Sequence, residues 1–154
     1  MEAVLLIGIP GAGKSTFYYR RFFDTHVRIN LDMLKTRHRE LLLVQACLAA
    51  RQPFVVDNTN VLARERARYI TLARPAGFHI LGYYFQPDLA QALGRNRRRP
   101  GKAQIPAGAV MARFRRLEPP GLAEGFDQLY SVHIDPASGQ FIIEEWKIDR
   151  PASV

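Results

Sequence analysis

Apolar residues along this chain follow two rhythms. Short unbroken apolar runs, of the kind that fill a strand buried on both faces, occur near residues 4–9, 27–30, 54–57 and 79–86. Between them lie longer stretches with helical character, near 14–23, 33–51, 63–76 and 87–97. Strand and helix alternating in this order predict an α/β fold, a parallel central sheet flanked by helices on both faces. One further helix is expected near 107–117, ended by Glu118-Pro119-Pro120-Gly121. Past it, Leu129, Tyr130, Val132, Ile134 and Phe141, Ile142, Ile143, Trp146 stand on either side of Asp135-Pro136-Ala137-Ser138-Gly139, which predicts a closing hairpin. No internal repeat or low-complexity linker interrupts the pattern, and 154 residues suit one domain rather than two.

Composition narrows the class. An apolar fraction of 47% with 23% charged residues excludes general disorder. The apolar start carries Glu2 where a secretory leader carries positive charge, and no stretch approaches the length of a membrane span. The chain therefore reads as soluble and cytoplasmic, with no membrane partner. Its single cysteine, Cys47, lies in a helical pattern and reads as a small buried residue rather than half of a disulfide. Lys and Arg number 22 against 14 Asp and Glu, a formal charge of +8 with a pI near 10.1. Anionic partners are favoured, and the planar fork of arginine suits phosphodiester oxygens, although acidic lipid or a phosphorylated metabolite would satisfy charge alone.

The first apolar run leads into Gly8-Ile9-Pro10-Gly11-Ala12-Gly13-Lys14-Ser15, which fits the phosphate-binding loop G-x-x-x-x-G-K-S/T at every fixed position. Glycines let the backbone wrap closely around phosphate oxygens, so that several N–H groups over Gly11, Ala12 and Gly13 and the start of the next helix point at one anion. Lys14 would reach the β- and γ-phosphates of ATP. Ser15 has the hydroxyl that ligates Mg²⁺, and Thr16 adds a second hydroxyl near the phosphates. A strand before the loop and a helix after it are the context the motif requires; a bare glycine turn is the alternative.

Open parallel sheets bind ligands at the carboxyl ends of their strands, and two acids stand there. Asp32, in Arg28-Ile29-Asn30-Leu31-Asp32, closes the second strand and is the candidate base that accepts a hydroxyl proton during phosphoryl transfer. The competing role is a helix cap ahead of Met33, and the two can coexist. Asp57 ends the third strand, as a Walker-B acid does, and is a candidate for Mg²⁺ or its water; a turn-forming role competes. Arg95-Asn96-Arg97-Arg98-Arg99 enters a basic loop at 98–106 that reads as a mobile lid. An arginine there would offset charge developing on the transferring group, with Arg99 the leading candidate and Arg95 the second. Of Arg113, Arg115 and Arg116 on the next helix, at least one is expected to face solvent.

These segments together resemble the 5′-kinase domain of the polynucleotide kinases, both the phage type and the animal kinase-phosphatase type. The resemblance rests on the Gly8 to Thr16 loop, Asn30-Leu31-Asp32, Asp57-Asn58-Thr59-Asn60 followed by Arg66-Ala67-Arg68-Tyr69-Ile70, the basic lid, and Glu118-Pro119-Pro120-Gly121-Leu122-Ala123-Glu124-Gly125-Phe126. It implies ATP-dependent phosphorylation of a 5′-hydroxyl end of DNA or RNA, with Asp32 as general base, Lys14 and Ser15 at the phosphates and metal, and Arg99 as the lid arginine. Two positions depart from the family: Leu31 replaces an arginine common between the Asn and the Asp, and Lys35 stands where phage-type enzymes place an arginine for the substrate phosphate. No phosphatase or ligase module fits in the chain, so no healing of 3′ ends is expected. Two rival readings use the same loop. A kinase of a small molecule, such as a nucleoside, sugar, antibiotic or nucleotide sugar, has less need of so basic a surface. A switch module driven by ATP hydrolysis has no need of a base at Asp32.

Overall fold

Six strands make one sheet in the order β2-β3-β1-β4-β5-β6 in the computed structural model, which describes residues 1–146. The remainder of the expected domain, 147–154, lies outside the described residues. At the centre runs β1 (Glu2–Ile7), parallel to β3 (Phe54–Asp57) on one side and β4 (His79–Phe85) on the other. Outside these, β2 (Val27–Ile29) and β5 (Gln128–Ile134) extend the parallel array. The edge strand β6 (Phe141–Glu145) is antiparallel to β5. That reversal is forced by the short turn between them, where Gly139 donates to the carbonyl of Asp135 and Ser138 to its carboxylate; a parallel return needs a long crossover.

The unbroken apolar runs belong to strands covered on both faces. Along β1, Ala3, Leu5 and Ile7 join one core cluster while Val4 and Leu6 join the other, all fully buried. On the first face α3 (Arg37–Ala50) contributes Val44 and Cys47, and α4 (Ala63–Ala73) contributes Tyr69, Ile70 and Ala73. The second face is covered by α1 (Lys14–Arg21), whose Phe17 meets Tyr83, Phe85 and Phe141 in ring contacts about 5 Å centroid to centroid. Beside the loop end of the sheet, α5 (Leu89–Arg97) and α6 (Ala107–Arg116) close a smaller cluster of Ile9, Ala92 and Val110. Cys47 is buried as expected, and burial pushes its thiol up. Among the described residues, no helix is long and apolar enough to cross a membrane.

One expected helix breaks in two. In place of a single helix over 33–51, a four-residue α2 (Leu31–Leu34) ends at Lys35, whose φ of 74° leaves the helical region, and α3 starts afresh after Thr36. The Thr36 hydroxyl accepts from the Arg39 N–H and caps the new helix. The shorter helix also corrects the alternative role for Asp32: it is Asn30, not Asp32, that caps α2, by accepting from the Met33 N–H.

Candidate active site

The phosphate-loop backbone takes the shape the sequence requires. Gly11 and Gly13 hold φ of 84° and 97°, and a side chain at Gly11 would meet the Ala92 carbonyl oxygen at 2.5 Å. Gly13 then caps α1, so the helix opens directly on Lys14. The Lys14 ammonium is buried and donates to the carbonyls of Gly8 and Ile9 at 2.8 and 2.9 Å. Burial pulls its pKa down from 10.5 to about 8; Asp57 pulls it back up, Arg99 pushes it lower and Asp32 raises it. Charged groups from three other segments of the chain thus act on the Lys14 ammonium. Ser15 and Thr16 are exposed beside it on the first turn of α1.

Asp57 is buried at the end of β3, and Ser15 donates to its Oδ2 at 3.0 Å. The same carboxylate oxygen accepts from Arg28 Nε at 2.8 Å, and Arg28 Nη2 reaches Ser15 Oγ at 3.2 Å. Two hard oxygen donors side by side at a phosphate loop suit Mg²⁺, which takes one or two protein oxygens and completes its shell with phosphate and water. Among the described residues there is no cluster of three or more His, Cys, Asp or Glu side chains to make an all-protein metal site.

Asp32 is exposed on the first turn of α2. Two asparagines hold that turn against the end of β3. Asn30 donates to the Asp57 carbonyl at 2.6 Å, and Asn58 accepts from the Leu31 N–H at 2.8 Å. Asn58 is oriented in turn by donating to Glu40 and to Tyr69 Oη, and the buried Glu40 carboxylate also accepts from Tyr69 and Arg37. Burial and the adjacent Glu40 push the Tyr69 phenol well above its usual range, so it stays a donor. Asn60 donates to the Leu6 carbonyl, while buried Arg66 donates to the Asn60 carbonyl and makes a paired contact to Glu124 at 2.8 and 3.0 Å. Turn formation alone does not describe Asn58 and Asn60; both are staples between segments. Sequence reasoning assigned no role of their own to Arg28, Glu40, Arg66 and Asn96. The available signal was spacing: Glu40 shares a helical face with Val44 and Cys47, and Arg66 with Tyr69, Ile70 and Ala73.

Arg95 lies on α5 and donates to the Gly11 carbonyl at 3.0 Å, which brings it against the phosphate loop. Arg99 is half-buried just past the helix. The basic loop is tied at both ends: buried Asn96 accepts from the Ile105 N–H at 2.8 Å and donates to the Ile105 carbonyl, and Gly101–Ala103 forms a 3₁₀ turn between. On α6, Arg115 and Arg116 face solvent and Arg113 is half-buried. A cavity of about 340 Å³ opens beside the loop, lined by Ile9, Ala12, Phe85, Ala92, Arg95 and Ile134 among others.

A phosphate loop on a β1-to-α1 turn, a buried acid closing the adjacent parallel strand and an arginine-bearing helix across from both are the parts of a P-loop nucleotide site. The AAA domain family matches residues 4–120. The chain belongs to that family. Two curated relatives of this AAA domain chain are similar over most of its length. The "Bifunctional polynucleotide phosphatase/kinase" of Schizosaccharomyces pombe is 28% identical over 135 residues, 85% of this chain and 33% of the relative. A relative of similar name from Acanthamoeba polyphaga mimivirus is 30% identical over 139 residues, again 85% of this chain and 33% of the other. This chain thus spans about a third of the length of the curated relatives it matches. Among solved structures, Kti12 of Chaetomium thermophilum in complex with ADP-AlF3 shares the fold, with a TM-score of 0.60 at 17% identity, covering 88% of this chain and 92% of that one.

Proposed function

We propose that this AAA domain chain is an ATP-dependent kinase of polynucleotide 5′-hydroxyl ends, of DNA or RNA. The observation that carries the reading is the geometry at the phosphate loop, where Ser15 donates to the buried Asp57 carboxylate, Arg95 donates to the Gly11 carbonyl, and Asn30 and Asn58 hold the turn bearing Asp32 against the end of β3. A phosphate-side lysine, a metal-side acid, a lid arginine and an exposed acid close to one point are the groups that phosphoryl transfer to a hydroxyl uses. The polynucleotide phosphatase/kinase relatives support the acceptor class, and so does the formal charge of +8.

In this reading Gly11, Ala12, Gly13 and Thr16 hold the phosphates through backbone and hydroxyl donors, and Lys14 moves from the Gly8 and Ile9 carbonyls to the β- and γ-oxygens. Ser15 and Asp57 would hold Mg²⁺, which neutralises phosphate charge when bound. The cavity beside Ala12 and Arg95 takes the nucleoside. Asp32 accepts the proton of the 5′-hydroxyl as that oxygen bonds to the γ-phosphorus, and Arg99 meets the charge released toward ADP. The exposure of Asp32 on α2 leaves it open to an incoming strand end. Lys35, which stands where phage-type enzymes place an arginine for the substrate phosphate, follows α2 directly.

The test is transfer of labelled γ-phosphate from ATP to a 5′-hydroxyl oligonucleotide, beside the same oligonucleotide already 5′-phosphorylated and beside Asp32→Asn. Label on the hydroxyl end alone, lost in the variant, is the expected outcome. ATP binding without transfer to any oligonucleotide would redirect the assignment to a small-molecule acceptor, and acceptor-independent hydrolysis to a switch module.

A further inference from the structure

Arg28 is the strongest group at the site that the proposed chemistry does not use. It projects from the short edge strand β2, and its guanidinium spans the two oxygens read above as metal ligands, with Nε on Asp57 Oδ2 at 2.8 Å and Nη2 on Ser15 Oγ at 3.2 Å. It is held there from a third side, since its Cζ lies 6.0 Å from the centre of the Tyr18 ring, whose hydroxyl is itself pinned to the His26 carbonyl. The side chain is 23% exposed while Asp57 is 2% exposed, so the guanidinium covers the carboxylate on its solvent side. A buried carboxylate without a counter-charge is costly, and Arg28 supplies one.

We infer that Arg28 is a tethered counter-ion that stands in the divalent cation's place between Ser15 and Asp57, so that guanidinium and metal compete for the same two oxygens. This rests on the reading of Ser15 and Asp57 as the metal ligands. Its consequence is selectivity in how the metal arrives. Asp57 and Arg28 together carry no net charge, so free Mg²⁺ meets no attraction at the site and the nearby Lys14 ammonium repels it. A Mg²⁺–polyphosphate complex is negatively charged overall, so it would be drawn to Lys14 and Arg28 and would bring its metal to Ser15 and Asp57 while giving the guanidinium an anionic partner in their place. Arg28 has nearby aromatic surface on Tyr18 to retire to and an anionic phosphate to follow. The site thereby takes the metal as its nucleotide complex and refuses the bare ion.

The experiment measures Mn²⁺ binding to the whole chain without nucleotide, by electron paramagnetic resonance, for wild type, Arg28→Gln and Arg28→Gln/Asp57→Asn, with thermal unfolding in chelator or in Mg²⁺ alongside. Wild type is expected to bind free Mn²⁺ weakly and to show no Mg²⁺-dependent stabilisation. Arg28→Gln should bind Mn²⁺ at least about tenfold more tightly, because a unit positive charge has been removed from contact distance, and should gain thermal stability from Mg²⁺. Adding Asp57→Asn should abolish both gains. Wild-type Mn²⁺ affinity in Arg28→Gln would overturn the inference and leave a purely structural ion pair, as would tight Mn²⁺ binding by wild type. If the Gln variant does not fold in chelator, recovery of the fold on adding Mn²⁺ supports the inference and failure to recover overturns it; Arg28→Met repeats the test without a residual hydrogen-bond donor. Absence of oligonucleotide phosphorylation by wild type, with the Mn²⁺ gain of Arg28→Gln intact, would remove the acceptor assignment and leave this inference standing.

Discussion

Lys14 is the phosphate-side cation of the proposed reading, and its burial makes its charge sensitive to pH. With the folded-state pKa near 8 and the free value at 10.5, ATP affinity should fall as pH rises through about 8, by up to about tenfold per pH unit once the amine is neutral. A binding isotherm series across that range checks it, and Lys14→Met should be weak and flat throughout. Stability runs the other way. Between the two values the unfolded chain binds the extra proton, so the contribution of Lys14 to stability is least below about 8 and rises toward 10.5; the difference between wild type and Lys14→Met should carry that slope. Asp32 separates chemistry from folding in a similar fashion. It is exposed and Asn30 does the capping, so Asp32→Asn should change unfolding free energy by less than about 0.5 kcal/mol while turnover drops roughly 10²–10⁴-fold.

At the scale of elements, the segments that carry the family resemblance divide into those that face the phosphates and those that hold the framework. Arg66 on α4 is fully buried and clamps Glu124 and the Asn60 carbonyl, joining the segment after β3 to the turn before β5. Arg66→Met/Glu124→Leu, which removes both charges, should cost much less than Arg66→Met alone, which strands Glu124 and should lose about 3–5 kcal/mol in urea denaturation. Asn96 plays the corresponding part for the basic loop. Replacing it by Ala leaves both polar groups of Ile105 without their partner, so proteolysis at the loop should accelerate and the KM for ATP should rise as Arg99 loses its fixed base. Neither effect should appear in Arg98→Ala, an exposed neighbour in the same loop.

At the scale of the whole molecule, the excess of eight positive charges over the sequence should make affinity for a 5′-hydroxyl oligonucleotide fall steeply with salt, the log–log slope reporting the number of phosphates neutralised. A slope near zero would point to a small acceptor instead. The sequence by itself determined the alternation of strands and helices, the phosphate loop with Lys14 and Ser15, and the acid that closes β3, because apolar period and glycine spacing are local properties of the chain. Asp32, expected to close β2, lies instead on the first turn of α2, beyond the strand's end at Ile29. The sequence did not determine the break at Lys35, since the 31–51 stretch has helical spacing on both sides and the decision came from Asn58 and Asn30 pulling α2 onto the end of β3. Nor did it determine the partners of Glu40, Arg66 and Arg28. A charged side chain on an apolar face is legible as an anomaly, but its counterpart lies tens of residues away and is chosen by which strands pair. Only the parallel order β2-β3-β1 lays Arg28 across Asp57 and Ser15, and so only the tertiary structure put a cation of the protein's own where the sequence had placed a metal.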